Sequence, residues 1–212
     1  MSSHTYLIIG NSVAAMGAVE GIRSTDPDRP ITVVSREKRH TYSRPLISYL
    51  LAGKVDEEGM LYRPEGFYEE NDITPLLGVE AIGLDAARHI VRTHDDRILR
   101  YGKLLIATGG TPILPPDVKG IDTPGVFTFT SWEDADRVES YIEENEVQNA
   151  VVVGGGLIGL KSIEALVERG IHTTLVELAD QVLSATFDET ASEMARHSME
   201  RAGVDVRCGT TV

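Results

Sequence analysis

Several things are scarce in this sequence, and each scarcity removes a class of function. Of 212 residues a single one is cysteine, Cys208, which excludes an intrachain disulfide, a CxxC redox pair and a cysteine-rich metal cluster. There is no run of about 18 apolar residues, and no apolar signal segment follows Met1-Ser2-Ser3-His4. The expectation is a soluble, cytoplasmic protein with no membrane partner. Bases are outnumbered, with 20 Lys and Arg against 33 Asp and Glu for a net charge of −13. A surface of that sign repels phosphate backbones, so no nucleic acid partner is expected. The six histidines (His4, His40, His89, His94, His172, His197) show no HExxH or comparable ligand spacing. No metal site is expected, and they are read as surface or packing residues. No G-x-S-x-G occurs, so a hydrolase triad is not indicated.

What is present is a 42% hydrophobic chain, able to bury a sizeable core in one or two domains, and two glycine-rich loops. Each loop lies between an apolar strand and an amphipathic helix. The first reads Tyr6-Leu7-Ile8-Ile9-Gly10-Asn11-Ser12-Val13-Ala14-Ala15, and the second Ala150-Val151-Val152-Val153-Gly154-Gly155-Gly156-Leu157-Ile158-Gly159. In such a loop a buried strand delivers the chain to a tight turn, and the free N–H groups of the following helix point at a pyrophosphate. The second loop has all three glycines. Gly154 permits the turn, Gly156 lets the backbone approach the phosphates, and Gly159 lets helix pack on strand; Leu157 and Ile158 lie on the same cradle. Glu177 ends the next apolar run, about 20 residues on, where a carboxylate accepts the ribose hydroxyls and repels a 2′-phosphate. With Leu178, Ala179 and Asp180 next and no arginine, NADH is preferred to NADPH. The competing reading of Glu177 is a strand-end surface carboxylate. The first loop keeps Gly10 but has Ser12 and Ala15 at the other two positions; its competing reading is an ordinary strand–turn–helix with small residues for packing. Glu37 follows the next strand, Ile31-Thr32-Val33-Val34.

Periodicity and punctuation organise the rest. The helix after the first loop carries Ala14, Ala18, Val19 and Ile22 on one face and stops at Asp26-Pro27. Pro45 starts a short helix capped near Gly53, and Pro64 another toward Asn71. From Ile73 to Leu105 the pattern is of short strands, with a hairpin turn at His94-Asp95-Asp96-Arg97. Ser131-Trp132-Glu133-Asp134 resembles a capping box opening a polar helix to about Asn145, against which Trp132 and Tyr141 pack. A third helix–strand step covers Asp188 to Arg207, with Met194 and Met199 filling a core. Ile121 to Pro124 is the seam between segments.

These residues together resemble the N-terminal half of the flavoprotein pyridine nucleotide-disulfide oxidoreductase superfamily. The resemblance is to the branch of rubredoxin, putidaredoxin and ferredoxin reductases, NADH oxidases and the flavin part of NADH-dependent nitrite reductases. Besides the loops it rests on Tyr42-Ser43-Arg44-Pro45-Leu46-Ile47-Ser48, similar to a segment lying along FAD, and on Tyr101-Gly102-Lys103-Leu104-Leu105-Ile106-Ala107-Thr108-Gly109, similar to the strand and A-T-G turn that close the first FAD segment. It implies an α/β fold: two Rossmann-like (FAD/NAD(P)-binding) dinucleotide-binding units with a small antiparallel β meander, of three-layer ββα type. It implies residues 1–121 as the first segment of an FAD-binding domain and 122–212 as an NADH-binding domain truncated at its C-terminal side. Gly10, Ser12 and Ala15 would face the FAD pyrophosphate and Glu37 the adenosine ribose. Arg44 and Pro45 would lie along the cofactor, and Thr108 and Gly109 would close over it. Arg44 suits such a role because its fork of donors is planar and always charged; a solvated surface arginine is the plainer reading. The chemistry implied is hydride transfer from NADH to flavin.

The sequence departs from the family pattern in four ways. Disulfide reductases carry a redox cysteine pair, and peroxidase or oxidase relatives one cysteine near Ser48; here there is none, so thiol chemistry lacks a nucleophile. Electrons would leave the flavin for a protein redox centre such as a rubredoxin or ferredoxin, for a small acceptor or for oxygen. Ferredoxin-reductase-like relatives often place Lys after that Ser and Glu two residues after the last loop glycine, where this sequence has Tyr49 and Lys161. Lys161 is therefore the catalytic candidate, as a positive charge near the flavin–nicotinamide contact; the alternative is a solvated lysine on a helix. Arg36 stands where relatives often have an acid. Relatives also continue for about as long again, so the expectation is a piece of a longer protein, the alternative being a chain that pairs with another; the piece would hold FAD weakly or not at all and self-associate as a homo-oligomer through an open sheet edge. The competing function class is a non-catalytic dinucleotide-binding or redox-sensing module.

Overall fold

The computed structural model describes residues 5–114 and 118–212; His4 lies outside them. In chain order the elements begin with β1 (Tyr6–Ile9), α1 (Val13–Thr25), β2 (Ile31–Ser35), a 3-10 turn (Arg44–Leu46), α2 (Ile47–Leu51) and α3 (Phe67–Glu70). Five strands follow, β3 (Ile73–Leu77), β4 (Ala81–Asp85), β5 (Ile90–Thr93), β6 (Ile98–Arg100) and β7 (Lys103–Ile106). The chain ends with α4 (Trp132–Glu144), β8 (Asn149–Val153), α5 (Leu157–Glu168), β9 (His172–Val176), α6 (Glu189–Arg201) and β10 (Asp205–Arg207). Two compact units result. The first comprises Met1–Ser43 and Met60–Gly110, the second Arg44–Gly59 and Thr111–Val212.

The first unit is built on a parallel sheet of order β3-β2-β1-β7. Its inner strands read as continuous apolar runs because both faces are covered. On one face Ile8, Ile31 and Val33 pack with Ala15, Met16 and Val19 of α1. On the other Leu7 and Val34 pack with Val91 and Tyr101, from the meander β4-β5-β6 and its exit. Each fully buried branched side chain contributes about 1.5–3 kcal/mol. The layering is helix, parallel sheet, antiparallel meander, as the ββα expectation requires. One detail differs from the sequence reading: Ala14 is exposed, and the buried stripe of α1 is Ala15, Met16 and Val19. The short strands between 73 and 105 divide between two sheets: β3 and β7 join the parallel sheet, and β4 to β6 pair antiparallel. The β5–β6 turn at 94–97 carries Asp96 at φ 63°.

The second unit holds the parallel sheet β10-β9-β8, with Ile163, Leu175, Val182 and Val204 at its centre and Met199 packed against them. Met194 is 69% exposed. The two methionines are five residues apart, about 140° round a helix, so α6 can bury only one. At α4 the capping box forms: Ser131 Oγ accepts the Asp134 N–H at 3.1 Å, and the Asp134 carboxylate accepts the Ser131 N–H at 3.0 Å. Trp132 is buried, and Phe127 meets Tyr141 edge-to-face at 5.3 Å. The segment Arg44–Gly59 groups with the second unit. Arg169 fixes it there by donating to the Leu51 carbonyl at 2.8 Å while pairing with Glu139 at 2.7 Å. β8 lies at the edge of its sheet, with Val151 and Val153 61% and 62% exposed. Among the described residues no helix is long and apolar enough to cross a membrane.

Candidate functional site

In the first unit the loop leaves the C-terminal end of β1 and enters α1. Gly10 takes φ +123°, and a Cβ there would stand 2.0 Å from the Ala107 carbonyl oxygen at the end of β7, so only glycine fits. Ser12 is the N-cap of α1, yet its side chain caps nothing. Ala15 is fully buried in the core, so its side chain serves packing and not the loop surface. Glu37 lies just past β2, its carboxylate accepting the Tyr42 hydroxyl at 2.6 Å. Thr108 and Gly109 follow β7 and are exposed. Gly10, Ser12, Glu37, Thr108 and Gly109 therefore all lie beyond the C-terminal ends of adjacent parallel strands, the position at which open α/β sheets take ligands.

In the second unit Gly154 takes φ +105° and donates its N–H to the Val176 carbonyl at 2.8 Å. A Cβ on Gly156 would meet nothing within 4 Å, whereas one on Gly159 would stand 2.0 Å from the Gly154 oxygen. Gly156 thus borders open space, and Gly159 is where α5 crosses its own loop. Glu177 reaches back from β9, with one carboxylate oxygen accepting the Gly155 N–H at 2.5 Å and the other the Ala179 N–H at 2.7 Å. Leu157 and Ile158, on the first turn of α5, are each 59% exposed.

Arg44 and Pro45, assigned to the flavin from the sequence, belong to this second unit. Arg44 donates to the Thr130 carbonyl at 2.9 Å, and Pro45 is exposed. Lys161 is one turn into α5. Its ammonium pairs with Glu164 at 2.5 Å, donates to the Tyr49 hydroxyl at 3.2 Å and lies 4.4 Å from the centre of the Tyr49 ring. The Glu164 hydrogen bond holds the Lys161 ammonium above its ordinary pKa, so it stays charged. The two positions that depart from the relatives' pattern thus touch each other. Motif spacing gave no sign of this, nor of the tyrosine that meets the first loop. There Tyr68 donates to the Asn11 side chain at 2.8 Å. Burial pushes the Tyr68 hydroxyl up in pKa.

The residues fit dinucleotides on one further observation. Four helices have 12 or 13 residues. Ser131 and Asp188 cap α4 and α6 through their side chains, while Ser12 and Gly156, which open α1 and α5 after the glycine loops, make no such bond. The helices that follow no glycine loop have a first-turn N–H accepted by a capping side chain, and those that follow the loops have none, as a phosphate site requires. Among the described residues no group of three or more His, Cys, Asp or Glu side chains could hold a metal ion.

Two Rossmann-type units carrying these loops define a dinucleotide-binding fold. A family model for pyridine nucleotide-disulphide oxidoreductase matches residues 4–212, and the chain belongs to that family. It is 35% identical to the NADH-dependent phenylglyoxylate dehydrogenase subunit epsilon of Aromatoleum evansii, over 99% of this chain and 49% of that protein. It is 32% identical to the NADH oxidase of Methanocaldococcus jannaschii, over 94% of this chain and 46% of that protein. Among solved structures it resembles that of the covalent putidaredoxin reductase–putidaredoxin complex, with TM-score 0.88 and 28% identity over 100% of this chain and 51% of the other. The chain spans about half the length of these curated relatives.

Proposed function

We propose that this chain holds FAD on the first loop and NADH on the second, as part of an NADH:acceptor oxidoreductase. When bound, the two cofactors supply the hydride chemistry, and the protein supplies orientation and charge. The observation that carries the reading is the pair of loop-borne helix N-termini left without side-chain caps. Gly10, Ser12 and the turn at Thr108-Gly109 would receive the FAD pyrophosphate, with Glu37 on the adenosine ribose. Gly154, Gly156 and Gly159 would form the NADH cradle. Glu177, already held by two backbone N–H groups, would accept the ribose hydroxyls and repel a 2′-phosphate, favouring NADH over NADPH. The exposed Leu178 beside it offers no cation. Lys161 would hold a positive charge on the nicotinamide side.

Cys208 follows β10 and no cysteine lies near Ser48, so the electrons would leave without a thiol. The solved relative captured with putidaredoxin supports an acceptor of the ferredoxin or rubredoxin type. The test is to add FAD to the purified chain, remove free flavin and follow visible absorbance on anaerobic addition of NADH. Whatever fraction of flavin is retained is expected to bleach, and a chain that retains none moves the test to the longer protein. Retained colour that never bleaches overturns the reductase reading in favour of a binding module. In the same stopped-flow assay Lys161→Ala should slow flavin reduction roughly tenfold; an unchanged rate removes Lys161 from the mechanism.

A further inference from the structure

The first loop lacks two of the three glycines, yet its second residue is the best-anchored side chain on it. Asn11 Nδ2 donates to the Arg39 carbonyl at 3.3 Å, and its Oδ1 accepts the Tyr68 hydroxyl at 2.8 Å. That hydroxyl in turn accepts the Thr41 N–H at 3.1 Å. The directions are forced. The Thr41 N–H can only donate, so the one Tyr68 proton is free for Asn11 Oδ1, which leaves the Asn11 amide nitrogen to face Arg39. Tyr68 has little freedom to leave this arrangement, being 5% exposed with its ring 4.3 Å from His40 and 6.3 Å from Phe67. Arg39 and Thr41 lie in the segment after β2 that also carries Glu37. One buried tyrosine on α3 thus ties the loop to the strand exit, the two pieces of chain that flank an adenosine diphosphate group in this fold. The second loop is braced differently: there Gly155 is held through its N–H by the carboxylate of Glu177.

We propose that Tyr68 is a positioning residue for the first loop, acting through Asn11 to hold that loop in its dinucleotide-binding form. The proposal rests on the reading of the first loop as a flavin site and adds to it a brace that contacts no cofactor. Tyr68→Phe keeps the ring and its packing but strands Asn11 Oδ1 and the Thr41 N–H; Asn11→Ala removes the other end. Two readouts are needed. Amide hydrogen exchange of residues 10–13 in the ligand-free chain should speed up roughly tenfold in either variant. The FAD dissociation constant, from flavin fluorescence, should rise roughly tenfold in each and no further in the double variant, while NADH affinity is unchanged. Unaltered exchange in Tyr68→Phe overturns the brace. Additive losses in the double variant overturn the coupling through Asn11. Faster exchange with an FAD dissociation constant equal to the parent's supports the brace and overturns its link to the flavin site instead.

Discussion

The two glycine loops share a job and a shape but place their indispensable glycine at opposite ends. In the first it is the leading residue: a Cβ on Gly10 would strike the Ala107 oxygen, while the third position accommodates Ala15 with its methyl fully buried. In the second it is the last: a Cβ on Gly159 would strike the Gly154 oxygen, while one on Gly154 would meet nothing within 4 Å. The neighbours explain the exchange. β1 lies between β2 and β7, so the turn after it is crowded sideways by the end of β7; β8 is an edge strand with β9 on one side only. A motif written as three equivalent glycines is thus two different steric problems, set by sheet position.

Substitutions can break that comparison. The largest effect is expected for Gly10→Ala, where a backbone clash adds to an unfavourable positive φ, for about 3–5 kcal/mol. Gly154→Ala carries only the φ cost, about 1–3 kcal/mol. Equal losses in urea titrations would show that the β7 contact does not matter. Gly159→Ala falls between the two, at about 2–4 kcal/mol from the clash between helix and loop. Gly156→Ala should change stability by less than about 1 kcal/mol yet weaken NADH binding roughly tenfold by blocking backbone approach to the phosphates. If Gly156→Ala bound NADH normally in fluorescence titrations, the cradle would lie elsewhere.

A smaller, pH-dependent effect sharpens the contrast between capped and uncapped helices. Burial opposes ionisation of Asp134, but hydrogen bonds from the Thr130 N–H, Arg137 and Ser131 outweigh it and hold the carboxyl below its ordinary range. A depressed folded-state pKa gives stability that is present above the unfolded value, about 3.9, and lost as pH falls through the lower folded value. Asp134→Asn should therefore cost about 1–3 kcal/mol at pH 7, with the gap to the parent closing below about pH 4. A gap that stayed constant from pH 7 to pH 3 would show that the carboxylate charge contributes nothing.

Much of this was legible beforehand because it is local. Strand, turn and helix around each loop, the capping box at Ser131 and the turn at 94–97 depend on residues a few positions apart, whose φ preferences and hydrogen-bonding reach are intrinsic. The place of Glu177 is local in the same sense: it ends the next strand, and its carboxylate meets the Gly155 N–H. The burial of Ala15 rather than Ala14 was not legible, because two small residues in succession give a weak helical period. Nor was the braced pair Asn11 and Tyr68, whose members are 57 positions apart and belong to no motif.

The sequence by itself therefore determined the two loops and the α/β alternation, since these follow from short-range periodicity and backbone chemistry, and it carried the family through the resemblance of its ordered motifs. The tertiary structure alone decided which strands of the 73–105 stretch extend the parallel sheet, which unit takes Arg44 and Pro45, that Lys161 meets Tyr49, and which glycine in each loop cannot change. Those outcomes depend on what packs beside a residue from far along the chain, and a single sequence carries no record of its neighbours in space.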